Sequence, residues 1–254
     1  MTITNKSNKR IALLLKGAVS ITGGVIRGFV KDENKYVNYP IIKNSIVEHI
    51  IKPNDDCDFD FFIHCWNTDL QNELCNLYDP VKYTFEKNEP LLKPYEEYGD
   101  HAIRQISQAF AIQRGIELIE STNIHYDQVI IYRPDILLWK NMDLKKYDQS
   151  KIYVNAHQDH GGSGGDFHFV MNLENASNFK NLVKSVKENP PRVHRWIKNY
   201  VKNFMKKELV MDEIIPPNHQ EVLRKIIKTK GFYFDKYITE SDLNKMNIKM
   251  KDLY

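Results

Sequence analysis

Near the middle of the chain stands a run too short for a stable helix and too apolar for a surface strand: Gln128, Val129, Ile130, Ile131 and Tyr132, four of them β-branched or aromatic. Such a run predicts a strand buried on both faces, the kind found where helices cover both sides of a largely parallel sheet. Arg133, Pro134 and Asp135 follow at once. Proline has no N–H for the ladder and drives the residue before it to extended geometry, so Arg133 and Asp135 are expected at the carboxyl end of a central strand. Open α/β sheets bind ligands at that edge. A plain turn carrying an Arg–Asp surface pair fits the same letters.

The other elements arrange themselves around this strand. Residues 10–16, RIALLLK, read as a first strand running into Gly17 and a loop with Gly23, Gly24, Arg27 and Gly28. Glycine lets backbone N–H groups approach phosphate closely, so Lys16, Gly17 and Arg27 are candidate phosphate contacts, although the spacing matches neither G-x-G-x-x-G nor a P-loop. Residues 40–51 have helical spacing, with Pro40 near the start and Ile42, Ile46, Val47, Ile50 and Ile51 on one face. Residues 59–64, FDFFIH, read as a second strand that delivers His64, Trp66 and Asn67 at its carboxyl end, groups able to stack on a base, hold a sugar or simply pack.

Residues 88–100, rich in charge and broken by Pro90, Pro94 and Gly99, read as a long loop, and residues 101–119 return to helical spacing. Arg104 and Gln105 lie near the amino terminus of that helix, where anions are favoured. Residues 151–156 and 166–171 read as two further strands separated by a glycine-rich loop. His157, Asp159, His160, Asp166 and His168 crowd this region, all of types suited to metal ligation or proton transfer, though not at a standard zinc spacing.

From residue 174 onward the character changes to Lys-rich helices broken by paired prolines. In residues 192–207 one stripe holds Trp196, Ile197, Tyr200, Val201 and Phe204, opposite Arg192, Arg195, Lys198, Lys202 and Lys206. Only Glu188 is acidic between Lys180 and Lys207, so this part is suited to an anionic membrane surface or an acidic acceptor, or to a solvated face over the core. A formal charge of +3, from 36 Lys and Arg against 33 Asp and Glu, is too mild to point to nucleic acid. No apolar run approaches a membrane span and the polar start lacks the core of a signal peptide, so a cytoplasmic protein is expected. Three cysteines without a C-x-x-C pair suggest neither a disulfide framework nor a zinc site.

Taken together, the first strand entering Gly17, the segment DFDFFIHCW of residues 58–66 followed by LYDP of residues 77–80, and YDQVIIYRPD of residues 126–135 resemble a family of bacterial and viral glycosyltransferases that build surface polysaccharides. The resemblance covers residues 10–172. It implies an α/β, GT-A-like (Rossmann-like) mixed sheet flanked by helices, with residues 1–173 as a nucleotide-sugar-binding core and residues 174–254 as a mainly helical part completing the same domain. In GT-A enzymes an Asp-x-Asp after a central strand holds a divalent ion on the nucleotide diphosphate, which points to Asp135 as ligand of Mn²⁺ or Mg²⁺. Arg133 stands where the first Asp would be. Transfer of a sugar to a glycan hydroxyl needs the leaving diphosphate neutralised and, with inversion, a base. Arg133 and Asp135, with Lys16, Arg27, Trp66 and Arg104 in binding roles, fit the first need; Asp166, with Asp159 and His168 behind it, fits the second. Two other readings stand beside this one: a metal-dependent hydrolase using the cluster of residues 157–168, and a non-catalytic carbohydrate-binding protein on the same fold.

Overall fold

The computed structural model describes residues 8–19, 39–136, 138, 140–155, 165–186, 193–212 and 244. Among the described residues seven strands form one sheet: β1 (Lys9–Gly17), β2 (Cys57–Cys65), β3 (Lys82–Phe85), β4 (Gln128–Tyr132), β5 (Ile152–Asn155), β6 (His168–Met171) and β7 (Leu209–Asp212). Their order is β3-β2-β1-β4-β6-β5-β7. β1 pairs in parallel with both β2 and β4, β2 with β3 and β5 with β7, while β6 runs antiparallel to β4 and to β5. This is the expected Rossmann-like mixed α/β sheet with helices on its faces.

The apolar runs go where two-sided burial demands. Ile11 to Leu15 are 0–2% exposed and every residue of β4 is buried. Alternation along these strands divides the interior into two cores. Ile11, Leu13, Leu15, Ile130 and Tyr132 pack against α1 (Tyr39–Ile46) and α2 (Gln71–Tyr78) through Ile42, Ile46, Leu74 and Tyr78. Ala12, Leu14, Val129 and Ile131 face the long helix, reached after the short α3 (Glu89–Leu92): α4 (Gly99–Glu120), through Ile106, Ala109, Ile112, Ile116 and Ile119. At Gly115 the helix approaches so closely that a built Cβ would stand 2.3 Å from Leu14 Cδ2. Past β6, α5 (Leu173–Phe179) and α6 (Val193–Asn199) add Phe179, Trp196 and Ile197 to this second core.

Three differences from the sequence reading have simple causes. The first helix ends as α-helix at Ile46 and continues as a π-turn over Val47–Ile51, keeping Ile42, Ile46 and Ile50 buried four residues apart. The stretch before α4, expected as a loop, is α3 followed by a 3₁₀ turn at Lys93–Tyr98, because Pro90 and Pro94 occupy early helical positions that tolerate proline. β3 and β7 were not anticipated. Each has four residues and lies at a sheet edge, where half-burial leaves little apolar signal.

The chain passes from β1 outward to β2 and β3, then returns through α4 to β4 on the other side of β1. The direction of winding therefore reverses between β1 and β4, and the crevice at their carboxyl ends is the place where such sheets bind ligands.

Candidate functional site

Lys16 and Gly17 close β1, and Arg133 stands one residue past β4, so one cation from each strand flanks the crevice. The Arg133 backbone N–H donates to Phe167 O at 2.9 Å, carrying the ladder one residue beyond Tyr132. Its guanidinium forks onto Asp135, Nε to Oδ1 at 3.0 Å and Nη2 to Oδ2 at 2.8 Å, and Nη1 donates to Asp166 Oδ2 at 3.1 Å. The cation also lies over the Phe167 ring, 5.2 Å from its centroid. Burial by itself would lower the Arg133 pKa, but Asp135 and Asp166 together outweigh it and hold the group firmly charged. Asp135, set in the turn that Pro134 begins, is 2% exposed. That turn is tied by Ile136 N–H to Arg133 O at 3.3 Å and by the Tyr132 hydroxyl to Ile136 O.

Lys16 is the second cation of the cluster. Its side chain runs under α4 with no exposed surface and donates from Nζ to Gln108 Oε1. Burial pushes its pKa down to about 8; Asp166 works against that shift, Arg133 adds to it, and Asp135 opposes it. Gly17 has φ +108°, in the region that favours glycine, and its carbonyl accepts from Trp66 N–H at 3.2 Å. Arg104 lies exposed on α4 four residues before Gln108, hence one turn along the same face.

Asp166 is placed by its neighbour. Gly165 N–H donates to Asn155 O at 2.7 Å, and a Cβ at Gly165 would fall 2.0 Å from Asn155 Nδ2. Asn155 Oδ1 in turn accepts from Phe167 N–H at 2.9 Å. Only glycine fits this approach, and it seats Asp166 against Arg133.

The remaining candidates have other partners. His64 is buried beside Lys16 in the next strand, its Nε2 3.1 Å from Glu86 Oε1, and Glu86 also meets Arg114 Nε at 3.3 Å. Burial lowers the His64 pKa, with Glu86 opposing. Trp66 packs edge-on to the His64 ring at 4.4 Å between centroids. His168 is fully buried with Nε2 2.9 Å from Asp212 Oδ2, which also accepts from the Tyr147 hydroxyl at 3.2 Å. Burial first and Asp212 second hold the Tyr147 phenol far above its usual range. The structure thus joins Lys16, Arg133, Asp135 and Asp166 and gives His168 a separate network. Arg27, His157, Asp159 and His160 lie outside the described residues.

Gln108, Asn155, Glu86, Tyr147 and Asp212 were missed by the sequence reading, since polar residues within helices and at strand ends are ordinary surface letters until packing joins them. The spacing of Arg104, Gln108 and Gly115 along one helix face was the available signal.

The divalent ion expected at Asp135 finds no cage among these groups. Both Asp135 oxygens face the Arg133 fork, and among the described residues no three His, Cys, Asp or Glu side chains converge to hold a metal. A dication there would sit beside two cations, Lys16 and Arg133, so the described residues do not fit it by themselves.

No protein-family model matches this chain, and no curated protein matches it. Solved structures do. One is the apo-form glycosyltransferase GlyE of Streptococcus pneumoniae TIGR4, 11% identical with a TM-score of 0.45; the match covers 82% of this chain and 46% of that one, so this chain spans about half its length. The WbbM bifunctional glycosyltransferase is 10% identical with a TM-score of 0.43, over 84% of this chain and 40% of that one. A cytidylyltransferase of Leptospira borgpetersenii serovar Hardjo-bovis (strain JB197) is 11% identical with a TM-score of 0.46, over 94% and 93%. At these identities and TM-scores the likenesses carry no argument about chemistry, which rests on the geometry of the crevice.

Proposed function

We propose that the protein is a glycosyltransferase that moves a sugar from a nucleotide-diphosphate sugar to a hydroxyl of a glycan acceptor, with inversion. The observation that carries this reading is the pair of cations, fully buried Lys16 and partly buried Arg133, at the carboxyl ends of the two strands between which the winding reverses. A leaving diphosphate needs positive charge fixed in place before the reaction, in a site poor in water, and these side chains supply it. Asp135 orients the Arg133 plane. Trp66 offers a ring to the nucleobase, Gly17 a close backbone approach, and Arg104 further positive charge along the approach.

In this mechanism the acceptor oxygen attacks the anomeric carbon as the bond from that carbon to the phosphate oxygen breaks. The electron pair leaves with the diphosphate, beside Arg133 and Lys16. The acceptor proton passes to the Asp166 carboxylate, with Asp159 as the other candidate acceptor. The basic stripe carrying Arg195, Lys198 and Lys202 is proposed to face an acidic acceptor or an anionic membrane surface from a cytoplasmic position. Among the described residues no helix is long and apolar enough to cross a membrane.

The direct test is a panel of nucleotide sugars assayed for nucleotide release with and without glycan acceptors. Arg133→Ala should weaken nucleoside diphosphate binding by about 1.5–3 kcal/mol, the worth of a charge-assisted contact, and leave the fold intact. Equal calorimetric affinity in wild type and variant removes Arg133 from the site. Release from none of the donors sinks the transferase reading.

A further inference from the structure

Arg133 holds its two carboxylates in unlike ways. Asp135 takes the Nε and Nη2 edge with both oxygens, and its side chain is 3% exposed in a tightly hydrogen-bonded turn. Asp166 holds Nη1 by one oxygen at 3.1 Å, with its side chain 13% exposed. These contacts use three of the five N–H donors of a guanidinium. Phosphate oxygens prefer a guanidinium edge that they can take in pairs. The two carboxylates also balance the two cations, Lys16 and Arg133, so an arriving anion meets a cluster with no net charge to spare. One carboxylate has to yield, and the geometry selects Asp166.

Resting on the diphosphate reading above, we infer that Asp166 is a displaceable counter-ion that occupies a phosphate position on Arg133 and is expelled from it by the donor's diphosphate. The movement is a rotation of the Asp166 side chain. Its backbone is held, because Gly165 bonds to Asn155 and leaves no room for a shift toward that residue. Displacement has a chemical consequence. A carboxylate in contact with a guanidinium is held in its ionised form, which opposes proton uptake, whereas one turned away from it is free to accept a proton. Asp166 becomes a competent base only after the donor is seated, so donor binding precedes acceptor activation and the order of binding is built into one ion pair.

The test is calorimetric titration of the full chain with inorganic pyrophosphate, comparing wild type, Asp166→Asn and Asp166→Ala. Removing a resident competitor should tighten pyrophosphate binding in both variants, roughly threefold to tenfold for one partly exposed ionic contact. The two variants keep the test sound if either one folds poorly. Equal or weaker binding in the folded variants, while Arg133→Ala alone still weakens binding relative to wild type, overturns the counter-ion role and leaves the diphosphate site standing. Binding by none of the three chains overturns both readings.

Discussion

Replacing Lys16 with Met keeps the length of the side chain and removes its charge, and the effect on stability should depend on pH in a defined direction. In the unfolded chain the amine releases its proton near the ordinary 10.5; in the folded protein burial brings this down to about 8. Between these values the unfolded state holds more protons than the folded one, so wild-type stability rises with pH across that window. Below pH 8 the buried ammonium costs about 3 kcal/mol, the free energy equivalent of the drop from 10.5 to about 8. The Met variant lacks this cost at every pH. It carries instead a constant loss from Gln108 Oε1, which no longer accepts from Nζ. The difference in unfolding free energy, variant minus wild type, should therefore shrink by about 2 kcal/mol between pH 7 and pH 9.5. Urea denaturation of both proteins at several pH values measures it, and other groups that titrate in this range cancel in the difference. Parallel pH profiles would mean that Lys16 titrates as an exposed lysine does, and the buried cation would be lost from the site. The same variant should bind pyrophosphate more weakly than wild type.

Gly115→Ala gains helix propensity worth about 1 kcal/mol but drives a methyl into Leu14, so a net loss of about 1–2 kcal/mol is expected by denaturant titration. A variant as stable as wild type would show that α4 can lift from β1 at no cost. Reversing Lys198 and Lys202 to Glu should leave pyrophosphate affinity unchanged while lowering transfer to a lipid-linked acceptor, more so at low salt. Transfer that is equal at every ionic strength would return this stripe to a solvated face.

The central features were legible because they are local. Two-sided burial of β1 and β4 shows in unbroken apolar runs, and the end of β4 shows in Pro134, whose missing N–H stops a ladder in any context. Helical spacing identified the buried faces of α1 and α4 for the same reason, since each pattern needs only neighbours along the chain. The short edge strands β3 and β7 escaped notice because half-buried tetrapeptides leave no such pattern.

The site divides along the same line. That Arg133 and Asp135 would stand together at the carboxyl edge of the sheet follows from the sequence, because Pro134, which stands between them, ends the strand. That both Asp135 oxygens would turn to Arg133 depended on the turn's tertiary setting. Asp166 and His168, two residues apart, belong to one face by strand alternation, yet one reaches Arg133 and the other Asp212. A bend at Asp166 and Phe167 breaks the alternation, and Phe167 packs in the same core as Val170 although strict alternation sets it opposite. Next to the bend Gly165 packs against Asn155, a contact between residues on separate segments. Lys16 meets Gln108 from 92 positions away, and no periodicity encodes a pair at that distance. Periodicity and proline act within a few residues, so the sequence alone determined the elements and the edge where the site lies; pairing among charges depends on where distant segments pack, so only the tertiary structure decided which carboxylate each cation holds.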